Sequence, residues 1–269
     1  MNNKLAIIGV GNMGKAIVSS LLAQEVITPE NLFLSDSHHT QLDHFAKQGV
    51  VICSNNAEAV QQADVVLLAV KPQSFAALLS ELKSVVSEKQ LIISIAAGIE
   101  IQTIKNSLGS SQPVVRVMPN LCAAVGESMS VWAKSKEVSD EQSLVIRDLL
   151  RAIGEEAFVD DEELIDAATA ISGSGPAYVF YLTELLEQSA LNLGLPEKTA
   201  NLLARQTLLG SATFLGQSDK SAKELRLQVT SKGGTTEAAF EKFEQSNLKK
   251  VFFNGIRAAH TRAKELNRS

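Results

Sequence analysis

A chain of 269 residues is long enough for about two domains of ~150 residues, and a hydrophobic content of 45% is enough to build substantial cores. The net charge of −5, without a visible basic stripe, argues against nucleic acid as the main partner. Apolar runs stay well below the roughly 18 residues that a membrane span needs, so we expect no membrane-spanning segment.

The first element is a strand followed by a glycine-rich loop. Residues 5–8 are wholly apolar, which is typical of a buried parallel strand. Gly9, Gly11 and Gly14 follow in the G-x-G-x-x-G order, and a helical pattern begins after them. In such a unit the glycines allow a tight turn, close approach to a pyrophosphate and close helix packing, and the helix N-terminus attracts the phosphates. We therefore predict a dinucleotide-binding loop, with a merely tight structural turn as the alternative.

The second strand, residues 31–36, bears on the choice of dinucleotide. It ends in Asp36, 22 residues after Gly14, and an acid near this offset binds the ribose 2′-OH and repels a 2′-phosphate, which favours NAD. The same turn also holds two serines and two histidines: Ser35, Ser37, His38 and His39. These could receive a phosphate, although no arginine stands here to bind one bidentately, and the histidines equally fit a solvated helix start. The choice between NAD and NADP stays open.

Several later strands end in small or polar residues. Strand-like runs occupy residues 50–52, 64–70, 91–95 and 114–118, with helical patterns at 56–62 and 75–86. Lys71 and Pro72 end one of these strands, residues 96–98 follow the next, and Pro119 and Asn120 follow the last. Because ligands of a doubly wound sheet lie beyond the carboxyl ends of its strands, we expect these ends to line a cofactor crevice.

The pattern changes from strands to helices at about residue 161. Before it we expect a strand at 125–133 with Trp132 in the core or an interface, a helix at 140–153 and a short strand at 155–159. We expect the acidic run 160–163 to cap the next helix rather than to bind a metal. The predicted domains are therefore 1–160 and 161–269.

The helical half contains one helix that is apolar on most sides, at residues 177–193. Such a helix must be buried on several faces, which in so short a domain indicates contact with another subunit. Further helices are predicted at 197–215, at 220–229, from about 236, and at the end of the chain. The last one has a packing face formed by Phe252, Ile256, Ala259, Ala263 and Leu266.

Two glycine-rich stretches interrupt these helices. Residues 172–178 lie at the start of the apolar helix and are a candidate functional turn. The alternative is a bent helix junction without a functional role. Residues 231–236 open a later helix, so we expect the N–H groups of Gly234, Thr235 and Thr236 to form an anion cradle, with the threonine hydroxyls as further donors. Ordinary helix capping by threonine is the alternative.

Taken together, these motifs resemble the pyrroline-5-carboxylate reductase family over essentially the whole chain. The resemblance rests on residues 9–14, 69–72, 94–98, 116–120, 172–178 and 233–236, of which the last two stretches are the most specific. Two positions depart from the family pattern: Lys232 replaces a usual proline, and residues 121–123 read Leu-Cys-Ala where Thr-Pro-Ala is usual. The first departure makes the cradle less rigid and adds a positive charge. The second would alter the floor of the substrate pocket. The turn after the second strand also lacks the arginine that some members use for a 2′-phosphate.

The resemblance implies a reaction and an assembly. NAD(P)H would give a hydride to the C=N carbon of 1-pyrroline-5-carboxylate and form L-proline, the last step of proline biosynthesis. The Thr236 hydroxyl would hydrogen-bond the imine nitrogen as an orienting donor, since no strong acid is visible beside it. Helices of the second domain would intertwine in a homodimer, with dimers often forming larger rings. The substrate pocket would then lie between the cofactor domain and helices of the partner subunit.

The expected fold class is α/β, with a Rossmann-type doubly wound sheet followed by an all-α dimerisation domain. Thr236 is the catalytic candidate, and the substrate-binding candidates are Ser174, Ser231, Gly233, Gly234, Thr235 and Thr236. The cofactor-binding candidates are Gly9, Gly11, Asn12, Met13, Gly14, Ser35, Asp36, Asn56, Ala69, Val70, Lys71, Pro72, Ala96, Ala97, Gly98 and Asn120. We expect NADP or NAD as cofactor and no metal. The two sites are expected to face each other across a gap that a hydride can cross.

Two other functions fit the pattern less well. A reductase of the same build could take another cyclic imine or a 3-hydroxy acid. The latter needs a catalytic lysine on a helix, and Lys198 and Lys223 lie outside any matching motif. A non-catalytic dinucleotide-binding module would have no use for a second turn that cradles a small acid.

The cysteines and the start of the chain indicate a cytoplasmic protein. Cys53 and Cys122 cannot form a disulfide framework, and their apolar neighbours suggest reduced core thiols. The sequence enters its first strand at once, so we expect no signal peptide.

Overall fold

The computed structural model describes residues 3–267 and, within them, one sheet of eight strands in the order β3-β2-β1-β4-β5-β6-β7-β8. The strands are β1 (Leu5–Ile8), β2 (Leu32–Ser35), β3 (Val51–Ile52), β4 (Val65–Leu68), β5 (Leu91–Ser94), β6 (Val114–Met118), β7 (Ser128–Lys134) and β8 (Gly154–Phe158). Strands β1 to β6 run parallel, β7 is antiparallel to β6, and β8 is parallel to β7. The first six strands have the order of a doubly wound dinucleotide fold, which confirms the predicted fold class.

Helices connect the strands of the sheet and then form the rest of the chain. They are α1 (Asn12–Ala23), α2 (Asp43–Ala46), α3 (Asn56–Gln61), α4 (Phe75–Leu82), α5 (Ile101–Leu108), α6 (Asp140–Arg151), α7 (Leu164–Ala168), α8 (Gly175–Asn192), α9 (Glu197–Gly216), α10 (Ala222–Gln228), α11 (Thr235–Gln245) and α12 (Leu248–Leu266). Between residues 3 and 267, none of these helices combines the length and the apolar character needed to cross a membrane.

The apolar strands separate two hydrophobic layers. Every residue of β1, β2, β4 and β5 is buried, and alternate residues of β1 point to opposite faces. Ile7 packs with Val18 of α1 on one face, whereas Ala6 packs with Leu79 of α4 on the other. Burial on both faces is why these strands read as continuous apolar runs rather than as alternating ones.

The turn between β6 and β7 differs from the prediction. Residues 121–125 form a short 3₁₀ turn that ends at Gly126, whose φ of +75° lies in the left-handed region that favours glycine. The following strand therefore begins at Ser128 rather than at residue 125. Because this connection is too short for a crossover helix, β7 returns antiparallel to β6. Trp132 of β7 is buried, as expected of a core residue.

The two cysteines have different surroundings, although both are free thiols. Cys53 is buried, and desolvation raises the pKa of its thiol to about 11. Cys122 lies on the 3₁₀ turn and is only half-buried, so the expectation that both are core residues holds for Cys53 alone.

The acidic run 160–163 binds groups of the sheet and of α5 more than it caps the following helix. Asp161 accepts the N–H of Glu163 at 2.9 Å, but Glu163, the residue before α7, makes no side-chain capping bond. Glu162 instead accepts the N–H of Ile101 at 2.9 Å and pairs with Arg116 of β6 at 3.2 Å. The run thus joins the first helical residues to the sheet.

The chain forms two compact units. Residues up to Ser174, together with those from Ala259 onward, form the sheet unit, and Gly175–Ala258 form the helical unit. Residues between the predicted boundary at 160 and Ser174 belong with the sheet because Asp166 of α7 pairs with Arg116 at 2.9 Å, with both side chains almost fully buried. Helix α12 therefore begins in the helical unit and ends in the sheet unit.

The predicted packing face of α12 is covered only in part. Ala263 is buried, Ile256, Ala259 and Leu266 are half-buried, and Phe252 is exposed. Within the helical unit the Phe252 ring meets that of Tyr178 edge to face, with centroids 6.2 Å apart.

Candidate active site

The glycine loop joins β1 to α1, and each of its glycines has a different environment. Gly9 has a φ of +92°, and a Cβ there would lie 2.9 Å from the carbonyl carbon of Ala69 at the end of β4. A Cβ at Gly14 would collide with the carbonyl oxygen of Gly9, so this glycine lets α1 pack on the loop. A Cβ at Gly11 would meet nothing within 4 Å. The loop is thus held at both ends and open in its middle.

Beyond the carboxyl ends of the parallel strands lies a cleft of about 980 Å³ in the sheet unit, near the upper end of the range for small-molecule sites. Most predicted cofactor residues line it: Gly9, Gly11, Asn12, Met13, Ser35, Asp36, Asn56, Ala69, Val70, Lys71, Pro72, Ala96 and Ala97. The strand ends therefore form one continuous wall around the glycine loop.

Three predicted cofactor residues, Gly14, Gly98 and Asn120, do not line the cleft. Gly14 is taken up by the packing of α1. Gly98 has a φ of +76°, and a Cβ there would lie 2.7 Å from the carbonyl oxygen of Leu266. Asn120 is buried and donates to the carbonyl oxygen of Ser172 at 3.0 Å. These three residues contact neighbouring parts of the sheet unit rather than the cleft.

The cleft also contains Ser37, His38 and Pro119, which the sequence analysis considered near the cofactor without counting them among the binding candidates. Seven further residues had not been connected with the cofactor: Ile8, Ser74, Ala77, Leu78, Glu81, Ile95 and Met118. Several of them lie on or just before α4, and no local sequence motif predicts the orientation of this helix. A hydrogen-bond chain crosses this rim, because Ser35 donates to Asn56 at 2.8 Å and Asn56 donates to Glu81 at 2.9 Å. Glu81 therefore brings a second carboxylate to the side of the cleft where Asp36 lies.

Asp36 is held by main-chain donors, which the sequence did not reveal. Its side chain is 12% exposed. One carboxylate oxygen accepts the N–H of Val10 in the glycine loop at 2.6 Å, and the other accepts the N–H of His38 at 2.8 Å. The expected ribose acid thus ties the glycine loop to the turn after β2. Its oxygens already have main-chain partners before any ribose is bound.

In the helical unit, the turn at residues 231–234 uses two of its own N–H groups. Gly233 has a φ of +73° and donates its N–H to the Glu237 carboxylate at 2.6 Å. Gly234 donates its N–H to the Ser231 carbonyl oxygen at 3.0 Å. The expectation that the Gly234 N–H is free for an anion is therefore corrected, because that group closes the turn. Glu237 had not been recognised as part of this turn, since its role depends on reaching back four residues.

Helix α11 begins at Thr235, one residue earlier than predicted, with Gly234 in extended conformation before it. Within the described residues, the N–H groups of Thr235 and Thr236 have no hydrogen-bond acceptor. Such groups at a helix N-terminus can bind a small anion. Ser174, the remaining substrate candidate, is the last residue of the sheet unit and donates its N–H to Thr169 at 2.8 Å.

Comparisons with known proteins place the chain in a family. Residues 162–266 match the family described as pyrroline-5-carboxylate reductase dimerisation, and residues 4–98 match the family described as NADP oxidoreductase, coenzyme F420-dependent. The pyrroline-5-carboxylate reductase of Methanosarcina acetivorans is 37% identical over 268 residues, which cover 99% of each chain. The chain belongs to the pyrroline-5-carboxylate reductase family. The resemblance drawn from the sequence motifs is thereby confirmed.

Solved structures of pyrroline-5-carboxylate reductases share the whole fold. The protein from Coxiella burnetii matches with a TM-score of 0.94 at 37% identity, covering 100% of both chains. The Plasmodium falciparum pyrroline carboxylate reductase, crystallised with NADP bound, matches with a TM-score of 0.87 at 30% identity, covering 99% of this chain and 98% of its own. The similarity extends over both the sheet and the helical regions.

Proposed function

We propose that this member of the pyrroline-5-carboxylate reductase family reduces 1-pyrroline-5-carboxylate to L-proline with NAD(P)H, the last step of proline biosynthesis. The observation that carries the proposal is a cleft lined by the glycine loop, in a chain that matches reductases of this name over 99% of its length. The N–H groups of Thr235 and Thr236, on the same chain, can receive a small carboxylate. In this proposal, residues 1–160 serve the dinucleotide and residues 161–269 serve substrate binding and dimerisation.

The residues of the cleft fit a dinucleotide. Open space beside Gly11, at the first turn of α1, suits a pyrophosphate, which the helix N-terminus attracts. The small side chains of Ala96 and Ala97, after β5, allow close approach of a flat ring. When bound, the reduced nicotinamide supplies the hydride. NAD(P)H as cofactor agrees with the matched NADP oxidoreductase family and with the NADP-bound relative.

The substrate residues have mainly to hold and orient the imine. The N–H groups of Thr235 and Thr236 bind its carboxylate, and Lys232 adds a positive charge to the same turn. The Thr236 hydroxyl donates to the ring nitrogen and orients it, and Ser231, Gly233 and Gly234 shape the turn around it. Ser174 is proposed as a further substrate-binding residue. Hydride transfer requires the C=N carbon to lie about 3–3.5 Å from the nicotinamide, so fixing the ring accounts for much of the catalysis.

The matched dimerisation region at residues 162–266 supports the proposed assembly. The homodimer forms through the C-terminal helices, and dimers can assemble into a larger ring. Two free thiols agree with a cytoplasmic location, where disulfides are rare.

Steady-state kinetics with 1-pyrroline-5-carboxylate and both reduced cofactors test the proposal. Thr236→Ala removes a hydrogen bond to the reacting ring and should lower kcat by about tenfold or more. Gly234→Val adds a side chain that runs into Ser231, the residue whose carbonyl oxygen closes the turn. The variant should therefore mainly raise KM for the imine. Thr103→Ala, at an exposed position of α5, is the matched control and should change neither constant. Cofactor binding without turnover of the imine would contradict the activity, and unchanged kinetics in both site variants would contradict the assigned turn.

A further inference from the structure

Among the described side chains of the turn after β2, His38 is the one that lines the cleft and can carry a positive charge. We propose that His38 sets the choice between NADPH and NADH, and that the preference for NADPH rises as the pH falls. In dinucleotide folds the ribose that carries the 2′-phosphate of NADPH lies beside the turn after the second strand. The inference rests on the proposed function in that it concerns the cofactor of the same cleft.

The first step is that Asp36 does not act as a free ribose acid. Its two carboxylate oxygens accept the N–H groups of Val10 and His38 at 2.6 and 2.8 Å, and its side chain is 12% exposed. These bonds fix the carboxylate and partly balance its charge. Asp36 thus holds the glycine loop, and it rejects a 2′-phosphate less strongly than a carboxylate without these bonds would.

The second step is the position of the His38 ring. Its side chain is 73% exposed and lines the cleft. Nδ1 lies 3.1 Å from the Ser37 hydroxyl oxygen and 3.5 Å from a carboxylate oxygen of Asp36. Nε2 is therefore on the far side of the ring from these partners. The ring is oriented from within the turn and can present its other nitrogen to a ligand.

The third step is the balance of charge around the cleft. The ionisable side chains that line it are Asp36 and His38 at the β2 turn, Glu81 on α4 and Lys71 after β4. Lys71 is separated from the β2 turn by β1, which lies between β2 and β4 in the sheet. Glu81 is linked to the end of β2 through Asn56 and Ser35. The β2 side thus has two carboxylates and one imidazole.

This balance makes the charge of the imidazole decisive. With a neutral ring, the two carboxylates disfavour a 2′-phosphate, whereas the neutral 2′-OH of NADH is little affected. With a charged ring, a charge-assisted hydrogen bond to the phosphate becomes available. Histidine is the side chain that usually changes charge between pH 5 and 8, so the selectivity should change over that interval.

Cofactor binding by the full-length protein, without imine, tests the inference. Dissociation constants for NADPH and NADH would be measured by nucleotide fluorescence at pH 6 and pH 8. The wild-type ratio of the NADH constant to the NADPH constant should be several-fold higher at pH 6. In His38→Asn, NADPH binding at pH 6 should weaken by about tenfold, the effect of losing one charge-assisted bond, with NADH binding unchanged. The pH dependence of the ratio should become clearly smaller than in wild type, because only the protonation of the 2′-phosphate itself, at about pH 6, then remains.

Two further variants separate this role from a structural one. His38→Arg keeps a permanent positive charge and should retain NADPH preference at both pH values. His39→Asn removes an exposed neighbouring imidazole that does not line the cleft, and it should behave as wild type. An unchanged ratio in His38→Asn, or an equal shift in His39→Asn, would overturn the inference. Failure to bind either nucleotide would instead contradict the proposed function.

Discussion

The two compact units bury their apolar residues to very different extents. In the sheet unit, every residue of four central strands is buried between helices. In the helical unit, α8 has no buried residue, and α9 buries only Ala200 and Ala204. Side chains as large as Phe180 and Leu182 of α8 are 57% and 51% exposed. The sheet unit completes its own core, whereas the helical unit does not.

This difference indicates what each unit needs in order to be stable. The large apolar residues left exposed on α8 are Val179, Phe180, Tyr181, Leu182, Leu185, Leu186 and Leu191. A contiguous exposed patch of this kind marks an interface with another protein. It falls within the matched dimerisation region at residues 162–266. We therefore expect the stability of the helical unit to depend on protein concentration and that of the sheet unit to be independent of it.

The largest effect is expected from a charge placed on this patch. Leu182→Glu would put an unpaired carboxylate into the interface and weaken association by roughly 3–5 kcal/mol, or more than a hundredfold in the dissociation constant. Sedimentation at a series of dilutions measures the loss. Leu144→Glu, at an equally apolar and 63% exposed position of α6 in the sheet unit, is the control. If Leu182→Glu dissociated no more readily than this control, the inference that the helical unit depends on subunit contacts and the sheet unit does not would be wrong.

A smaller effect, confined to the sheet unit, is expected from its buried ion pair. Arg116 and Asp166 lie 2.9 Å apart, with side chains 3% and 4% exposed. Asp166 also accepts the amide of Asn267 at 2.6 Å. Asp166→Ala leaves a buried guanidinium with Glu162 as its remaining carboxylate partner, and should lower the free energy of unfolding by about 3 kcal/mol.

Urea unfolding followed by Trp132 fluorescence measures this loss, since Trp132 is buried in the same unit. The loss should be the same at low and high protein concentration. In Arg116→Met with Asp166→Leu, where both charges are replaced by apolar groups, the loss should be smaller than in Asp166→Ala alone. A midpoint shift that grows on dilution would mean that the pair acts through subunit contacts.

Much of the sheet unit could be predicted because its signals are local. An apolar run between breakers identifies each buried strand, and the spacing of Gly9, Gly11 and Gly14 identifies the loop, independently of distant residues. What the sequence did not reveal depends on distant partners. The ribose-binding role of Asp36 stays a prediction, but the N–H of Val10, 26 residues earlier, also binds its carboxylate.

Dependence on residues distant in the sequence also explains the other differences between the predictions and the structure. The Arg116–Asp166 pair joins residues 50 positions apart, so no sequence window contained it. The orientation of α4, which brings Glu81 to the cleft, depends on packing against the sheet rather than on its own sequence. In the helical unit, the helices were predictable from periodicity, but the use of the Gly234 N–H inside its turn depends on backbone torsions that a glycine leaves undetermined.

The smallest expected effect is a pH-dependent one at a half-buried ion pair of the sheet unit. The hydrogen bond from Lys105, at 2.6 Å, lowers the pKa of Glu137 from 4.5 to about 2. A carboxylate with a depressed pKa contributes stability that is fully present above pH 4.5 and is lost as the pH falls towards 2. Since the pair is half-buried and solvent still screens part of its charge, Glu137→Gln should cost about 1 kcal/mol at pH 7. Urea unfolding at pH 7, 4 and 3 should show this difference from wild type shrinking with pH, while Glu155→Gln, at an exposed position, shows none. A difference that stays constant down to pH 3 would mean that Glu137 acts through packing rather than through its charge.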